Sequence, residues 1–144
     1  MAGIGTLLLA VAGLGAGDVT TPAGSPYPLD TLIGQGPVVL VFWNSWLPGS
    51  ESFLAMVPEV ANQVERLGWK GAVVVFQDDP DAARRLGATE PLIRLVDRRG
   101  ELLRRFQVTR APAVILLDAS GAVAGRAGPD RESVRQLLSR EFRR

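Results

Sequence analysis

The side chains that could carry chemistry in this chain are carboxylates, hydroxyls, arginines, Tyr27 and the lone lysine Lys70. Its 144 residues include no cysteine and no histidine. The absence of cysteine removes a thiolate nucleophile, and the absence of histidine removes the commonest general base. Zinc and haem sites built on these ligands are excluded for the same reason. The composition therefore predicts no cofactor and offers no ready set of catalytic groups.

The acidic residues Asp78, Asp79 and Asp81 form a local cluster that could bind Ca²⁺ or Mg²⁺ through carboxylate oxygens. The same residues also suit the start of a helix. Asp79 stands directly before Pro80, as an N-cap does, and Asp81 falls in the first turn, where a negative charge complements the helix dipole. Capping accounts for the pattern without a ligand, so no metal site is predicted.

Ser50 is the hydroxyl whose position most resembles that of a nucleophile, because it follows a buried strand at the start of a helix. A serine nucleophile needs a base to take its proton, and the chain has no histidine for this role. A serine at this point serves more simply as an N-cap or first-turn residue, with Glu51 favourable in the same turn. No paired carboxylates indicate a hydrolase, so enzymatic activity is not predicted.

Hydrophobic periodicity predicts the main elements. Continuous apolar, β-branched runs, typical of strands covered on both faces, occur at residues 38–43, 71–77 and 113–117. Apolar residues spaced three and four apart predict a helix over 48–67, kinked at Pro58 and ended by Gly68.

Shorter elements fill the rest of the chain. These are a helix between Asp79 and Gly87, a short apolar segment at 92–96, one or two helical turns at 101–106, a hairpin with its turn at 118–121 and its edge strand at 122–127, and a last helix whose apolar face includes Phe142. This order predicts a parallel core with an antiparallel C-terminal hairpin, hence a mixed central sheet in an α/β sandwich.

Residues 1–17 contain no charged side chain and are mostly apolar. The run is short for a membrane span, and it lacks the positive start of a secretory signal. It is predicted to be a hydrophobic signal or membrane anchor. Two alternatives stay open: the tail of an anchor that starts upstream, and a buried N-terminal element of the domain. Residues 18–36 have the proline and glycine content of a linker, and residues 37–144 form the predicted domain.

The frame Phe42-Trp43-x-x-Trp46-x-Pro48, the proline-containing helix after it and the stretch at 108–112 resemble a known family. They resemble the TlpA/ResA-type thiol–disulfide oxidoreductases, a redoxin family of the thioredoxin-like superfamily. The resemblance covers about residues 37–142. It implies a thioredoxin-like three-layer α/β/α sandwich.

The same family carries Trp-Cys-Pro-x-Cys in this frame, whereas Leu47 and Ser50 stand at the two cysteine positions here. The resemblance also implies a cis-proline facing the former active site, which by position is Pro112. Disulfide exchange needs one thiolate to attack and a second thiol to resolve the intermediate. Both are missing, so the motif Trp46-Leu47-Pro48-Gly49-Ser50 is degenerate.

These observations predict a non-catalytic thioredoxin-fold module, exported or membrane-tethered, that acts as an interaction or assembly subunit. Trp46, Leu47, Ala111 and Pro112 are the predicted partner-binding face, unless residues 18–36 cover it. An alternative function is a component of a thiol–disulfide system for cell redox homeostasis that relies on a partner's cysteines. The net charge of +1 argues against nucleic acid. The expected location is the extracytoplasmic side of the cell envelope, with a protein partner there.

Overall fold

The structure is a computed structural model that describes residues 19–141. The predicted signal or anchor at 1–17 lies outside the described residues, as does Phe142. Within 19–141, none of the helices is long and apolar enough to cross a membrane.

Within the described residues, six strands form one mixed sheet in the order β1-β4-β3-β2-β5-β6. Their bounds are β1 Val19–Thr20, β2 Val38–Trp43, β3 Lys70–Phe76, β4 Ile93–Asp97, β5 Ala113–Leu117 and β6 Val123–Ala127. The pairs β2–β3 and β3–β4 are parallel, and the pairs β1–β4, β2–β5 and β5–β6 are antiparallel. The predicted parallel core with an antiparallel hairpin is confirmed.

Five α-helices in the described part of the chain cover the two faces of the sheet. They are α1 Ser50–Phe53, α2 Val57–Leu67, α3 Pro80–Arg84, α4 Glu101–Arg105 and α5 Arg131–Glu141. Helices α1, α2, α3 and α5 bury their apolar residues in a first cluster, and α4 contributes to a second cluster on the opposite face. The three-layer α/β/α prediction is therefore confirmed.

The central strand β2 explains why both layers are needed. All six of its residues are buried. Val39 and Val41 point into the first cluster, whereas Leu40 and Phe42 point into the second. Alternate side chains of a strand face opposite sides of the sheet, so an unbroken apolar run is stable only when both sides are covered.

The helix predicted at 48–67 is divided in two by a 3₁₀ turn at Leu54–Met56. Pro58 lies in the first turn of α2, where its missing N–H breaks no intrahelical hydrogen bond. Gly68 ends α2 in the left-handed conformation, with φ 67°. The predicted interruption near Pro58 is thus a junction between helices, placed just before the proline.

The segment predicted as a linker packs against the sheet in the structure. Val19 is fully buried in β1, which pairs with β4, and Leu29, Leu32 and Ile33 are buried in the second cluster. Prolines are tolerated here because β1 is a short edge strand and the chain beyond it makes a single 3₁₀ turn at Leu29–Thr31. The folded unit thus extends N-terminally beyond the predicted start at residue 37.

Two further boundaries differ from the prediction. The apolar segment at 92–96 is the strand β4, which lies between β1 and β3 and ends at the buried residue Asp97. The strand after the hairpin turn begins at Val123 and not at Ala122, because the Ala122 N–H donates to Asp118 inside the turn.

Asp97 joins β4 to α4. Its two carboxylate oxygens accept the backbone N–H groups of Glu101 and Leu102, each at 2.8 Å. These are two of the donors that the first turn of a helix leaves without an intrahelical partner. Burial raises the pKa of Asp97 above its ordinary value of 3.8, and the backbone hydrogen bonds oppose this effect.

We predict that Asp97→Ala lowers the free energy of unfolding by about 1–3 kcal/mol, because two N–H groups at the start of α4 lose their acceptors. Asp97→Asn keeps one acceptor oxygen and is expected to cost less. A group whose folded pKa is raised stabilises the protein fully below its unfolded pKa. The free energy of unfolding of the unmodified protein, relative to that of Asp97→Asn, should therefore fall as pH rises from 3.8 through the raised pKa.

Urea unfolding of both variants across this pH range measures the effect, and Asp118→Asn is its control. The Ser120 hydroxyl lowers the pKa of Asp118, so its contribution is present above pH 3.8 and is lost as pH falls. The two asparagine variants should thus show opposite pH trends. The same trend in both would contradict the role assigned to Asp97.

Candidate functional site

The degenerate motif lies at one edge of the sheet. β2 and β3 both end there because they are parallel, and β5 begins there because it runs antiparallel to β2, with Ala113 opposite Phe42. The residues after β2 and the residues before β5 therefore emerge at the same edge of the sheet.

Trp46 is the most exposed large hydrophobic side chain among residues 19–141, at 57%. Its indole N–H donates to the backbone oxygen of Gln77, at 2.9 Å. The ring is thus held by the loop after β3 while much of its surface meets solvent. Residues 18–36 were the alternative cover for this face, and the described part of that segment leaves Trp46 exposed.

Two further hydrogen-bond sets hold the turn before Trp46. The Ser45 N–H and hydroxyl both donate to one carboxylate oxygen of Asp78, each at 2.7 Å. The side-chain oxygen of Asn44 accepts the N–H of Leu47 at 3.1 Å, from a fully buried position. The turn is therefore fixed by the side chain of Asn44, directly after β2, and by the side chain of Asp78 in the loop after β3.

Sequence reasoning missed Asn44 and Gln77. The sequence signal that could have identified them is their position, because each directly follows a buried apolar strand. Polar residues that follow neighbouring parallel strands lie at the same edge of the sheet. Gln77 also has a φ of 47°, a left-handed conformation that non-glycine residues seldom adopt. Such strain, of about 1–3 kcal/mol, persists only where the surroundings enforce it. Here the Gln77 N–H donates to Asp97 and its carbonyl accepts from Trp46.

Ser50 is the first residue of α1 and is only 4% exposed. Among the described residues its hydroxyl has no hydrogen-bond partner, and neither does the side-chain NH₂ of Asn44. The Ser50 carbonyl accepts the indole N–H of Trp43, at 2.8 Å. A hydroxyl without a base in contact is not an activated nucleophile, and this one does not cap the helix either. Ser50 therefore acts through its backbone.

Leu47 and Ala111 are half-buried and pack against the second cluster. The Ala111–Pro112 peptide bond is cis. Pro112 is buried, whereas the prediction made it an accessible part of the partner-binding face. The backbone of Gly128 lies against it, so closely that an added Cβ would be 2.8 Å from the Pro112 oxygen. The accessible part of the face is therefore Trp46, Leu47 and Ala111, which we name the motif face.

The acidic cluster is occupied by local hydrogen bonds. Asp78 binds Ser45, Asp79 accepts the Asp81 N–H at 2.8 Å as the N-cap of α3, and Asp81 pairs with Arg84. Within residues 19–141, no group of three or more acidic side chains is placed to hold a metal ion. The structure gives these carboxylates a role in fixing the loop after β3.

No family model matches this chain, and no curated protein matches it. Solved structures do match. A secreted disulfide oxidoreductase of Mycobacterium tuberculosis, homologous to E. coli DsbE, is 23% identical over 85% of this chain and 91% of its own, with a TM-score of 0.66. The exposed lipoprotein thioredoxin of Streptococcus pneumoniae is also 23% identical, over 85% of this chain and 96% of its own, with a TM-score of 0.63.

A thiol:disulfide interchange protein of the thioredoxin family from Chlorobium tepidum is 21% identical, over 85% of this chain and 90% of its own, with a TM-score of 0.61. Identities at this level establish the shared fold and leave activity to be argued from the site. This chain therefore has the thioredoxin-like fold of the DsbE-type and TlpA-type thiol–disulfide oxidoreductases, and it has no cysteine with which to perform their reaction.

Proposed function

We propose that this chain is a non-catalytic thioredoxin-fold module that binds a protein partner through the motif face, as an interaction or assembly subunit. The observation that carries the proposal is Trp46, an indole 57% exposed yet hydrogen-bonded in place at the former reaction site. A large exposed aromatic side chain on a fixed loop is a feature of interaction sites.

The way Trp46 is held favours binding. Its one polar atom already has an acceptor in Gln77, so a partner that covers the ring leaves no donor unpaired. A ring fixed before binding also loses little conformational entropy on association. Tryptophan side chains bury about 150–250 Å² when covered, which corresponds to a few kcal/mol at about 25 cal/mol per Å².

We place the module on the extracytoplasmic side of the cell envelope, tethered by residues 1–17. Two observations support this. The segment is apolar and carries no charged residue. Two structures with the same fold are described as a secreted protein and as an exposed lipoprotein. The proposed partner is then a protein of the envelope, and a membrane complex is the natural setting.

A second candidate is a silent subunit of a thiol–disulfide system. It is favoured by the retained geometry, since the turn at 44–50 and the loop before Pro112 still meet at one sheet edge. In that case the thiol chemistry belongs to the partner. Any disulfide exchange measured in the complex should then disappear when the partner's cysteines are replaced, and no mixed disulfide can form on this chain.

The motif face is tested by affinity purification of the tagged full-length protein from detergent-solubilised native membranes. We predict a stoichiometric partner whose affinity falls at least about tenfold in Trp46→Ala, because a buried tryptophan is typical of binding hot spots. Leu47→Asp should also weaken the complex by placing a charge in an apolar contact. Thermal unfolding of each variant separates lost binding from lost folding.

Ile93→Ala is the matched control for this experiment. Ile93 is the other exposed large hydrophobic residue of the described chain, at 37%, and it lies at the start of β4, the sheet end opposite the motif. Capture should survive this change. Absence of any co-purifying partner, or equal loss in Ile93→Ala and Trp46→Ala, would overturn the proposal.

Ser50→Ala tests whether the motif retains chemistry. We predict that the free energy of unfolding stays the same or rises by about 1 kcal/mol, because the buried hydroxyl has no partner to lose. Capture of the partner should not change. Ser52→Ala is the control for losing a bonded hydroxyl, since Ser52 donates to Gly49 at 3.2 Å. A marked loss of stability or of capture in Ser50→Ala would assign the hydroxyl a role.

The tether is tested by fractionation of cells that express the full chain, with N-terminal sequencing of the product. An intact N-terminus in the membrane fraction supports an anchor, and a mature protein that begins near residue 17 supports a cleaved signal. Deletion of residues 2–17 should release the protein from the membrane or prevent export. An intact chain found only in the cytosol would contradict the proposed location.

A further inference from the structure

A pocket separate from the motif face lies between α4 and the β5–β6 hairpin. It is open to solvent and has a volume of about 840 Å³. Arg126 and Ile115 are paired across the hairpin, so their side chains share the face of the sheet that α4 covers. The pocket therefore lies on the layer opposite to α1 and α2, and Trp46 and Leu47 do not line it.

Charge distinguishes this pocket. Three of its lining residues are arginines, and no lining residue is acidic. Arg104 is committed elsewhere, since it donates to Glu101 at 3.0 Å and to the Arg99 carbonyl at 2.9 Å. Arg126 uses one nitrogen, which donates to the Gln107 carbonyl at 3.1 Å. Its remaining N–H groups have no acceptor within residues 19–141.

Arg110 is the least engaged of the three. Among the described residues its guanidinium makes no hydrogen bond, and it interacts with the Asp130 carboxylate only through charge. Asp130 itself accepts hydrogen bonds from Ser133. A guanidinium offers five donors in a planar fork that matches carboxylate and phosphate oxygens. Arg110 and Arg126 thus bring unmatched donors to the same concavity.

Apolar side chains line the rest of the pocket. The floor of the pocket is formed by Ile115 of the second cluster and by Leu103 and Val108, which pack against that cluster. Gln77 and Gln107 flank it, and both have left-handed backbones, with φ of 47° and 54°. An added Cβ on Gly100 would lie 2.9 Å from the Gln77 side-chain nitrogen, so the glycine leaves room for that side chain. The walls are polar and the floor is apolar.

We propose that this pocket binds a small amphipathic anion, an organic carboxylate or phosphate with a short apolar body. The anionic group would take the free donors of Arg110 and Arg126, and the apolar body would cover Leu103 and Ile115. Charge-assisted hydrogen bonds to guanidinium groups orient the anion. The volume lies within the range of about 300–1,000 Å³ that is usual for small-molecule sites. This inference goes beyond the proposed function and does not depend on it.

Isothermal titration of the full-length protein with hexyl phosphate tests the pocket. We expect saturable binding with a Kd of about 1 mM or below, at least about tenfold weaker binding of hexanol, and clearly weaker binding of inorganic phosphate. Added salt should weaken the hexyl phosphate complex, because the contact is electrostatic. Hexanoate should bind with comparable strength, since both oxyanions suit the guanidinium fork.

Substitutions locate the site. Arg110→Gln and Arg126→Gln should each weaken hexyl phosphate binding at least about fivefold, and Arg126→Lys should retain part of it. Arg66→Gln is the matched control, because Arg66 lies on α2 and does not line the pocket. Melting temperatures confirm that each variant is folded.

Three results would overturn the proposal. They are no saturable binding up to about ten times the expected Kd, equal affinity for hexanol and hexyl phosphate, and equal weakening in Arg66→Gln. Sedimentation with phosphatidylglycerol vesicles then identifies the source of the anion. Binding of vesicles that depends on Arg110 points to a lipid headgroup, and binding of the soluble anion alone points to a free small molecule. Either result supports an anion site.

Discussion

Burial of the central strand β2 on both faces is the constraint on which the remaining structure depends. Its alternating side chains need one layer of helices on each side, and its parallel and antiparallel neighbours then fix where the connecting loops emerge. The turn after β2 and the loop before β5 must meet at one edge of the sheet. Leu47 and Ser50 at the two motif positions are therefore compatible with the geometry of this edge, because β2 determines where the turn emerges.

The edge is also tied together by backbone and carboxylate interactions that cross the sheet. The Gln77 carbonyl accepts the indole N–H of Trp46, and the Gln77 N–H donates to the Asp97 carbonyl. The Asp97 carboxylate in turn accepts N–H groups at the start of α4. The left-handed backbone of Gln77 is the local cost of making both contacts. The motif face and the pocket lined by Arg110 and Arg126 thus adjoin at the loop before β5, where Ala111 belongs to the first and Arg110 to the second.

Much of the fold could be predicted from periodicity, because continuous apolar runs such as 38–43 and 113–117 are typical of strands that are covered on both faces. The packing of the N-terminal segment could not be predicted, because its proline content is typical of a linker and its apolar residues are few. Val19 and Leu32 are among those that pack on the sheet. At the site, the exposure of Trp46 agreed with its position in the motif. The burial of Pro112 and the presence of Arg110 and Arg126 in one pocket depend on contacts between distant segments, which a single sequence does not display.

The two borders of the sheet restrict how this protein can associate. β1 offers two residues and is followed by Pro26 and Pro28, whereas β6 alternates half-buried and exposed residues and carries Arg126. Short, proline-flanked or charged edge strands oppose the addition of a foreign strand. Within residues 19–141, both edges of the sheet therefore oppose edge-to-edge polymerisation, a common route to fibrils, and they do so without any covalent crosslink.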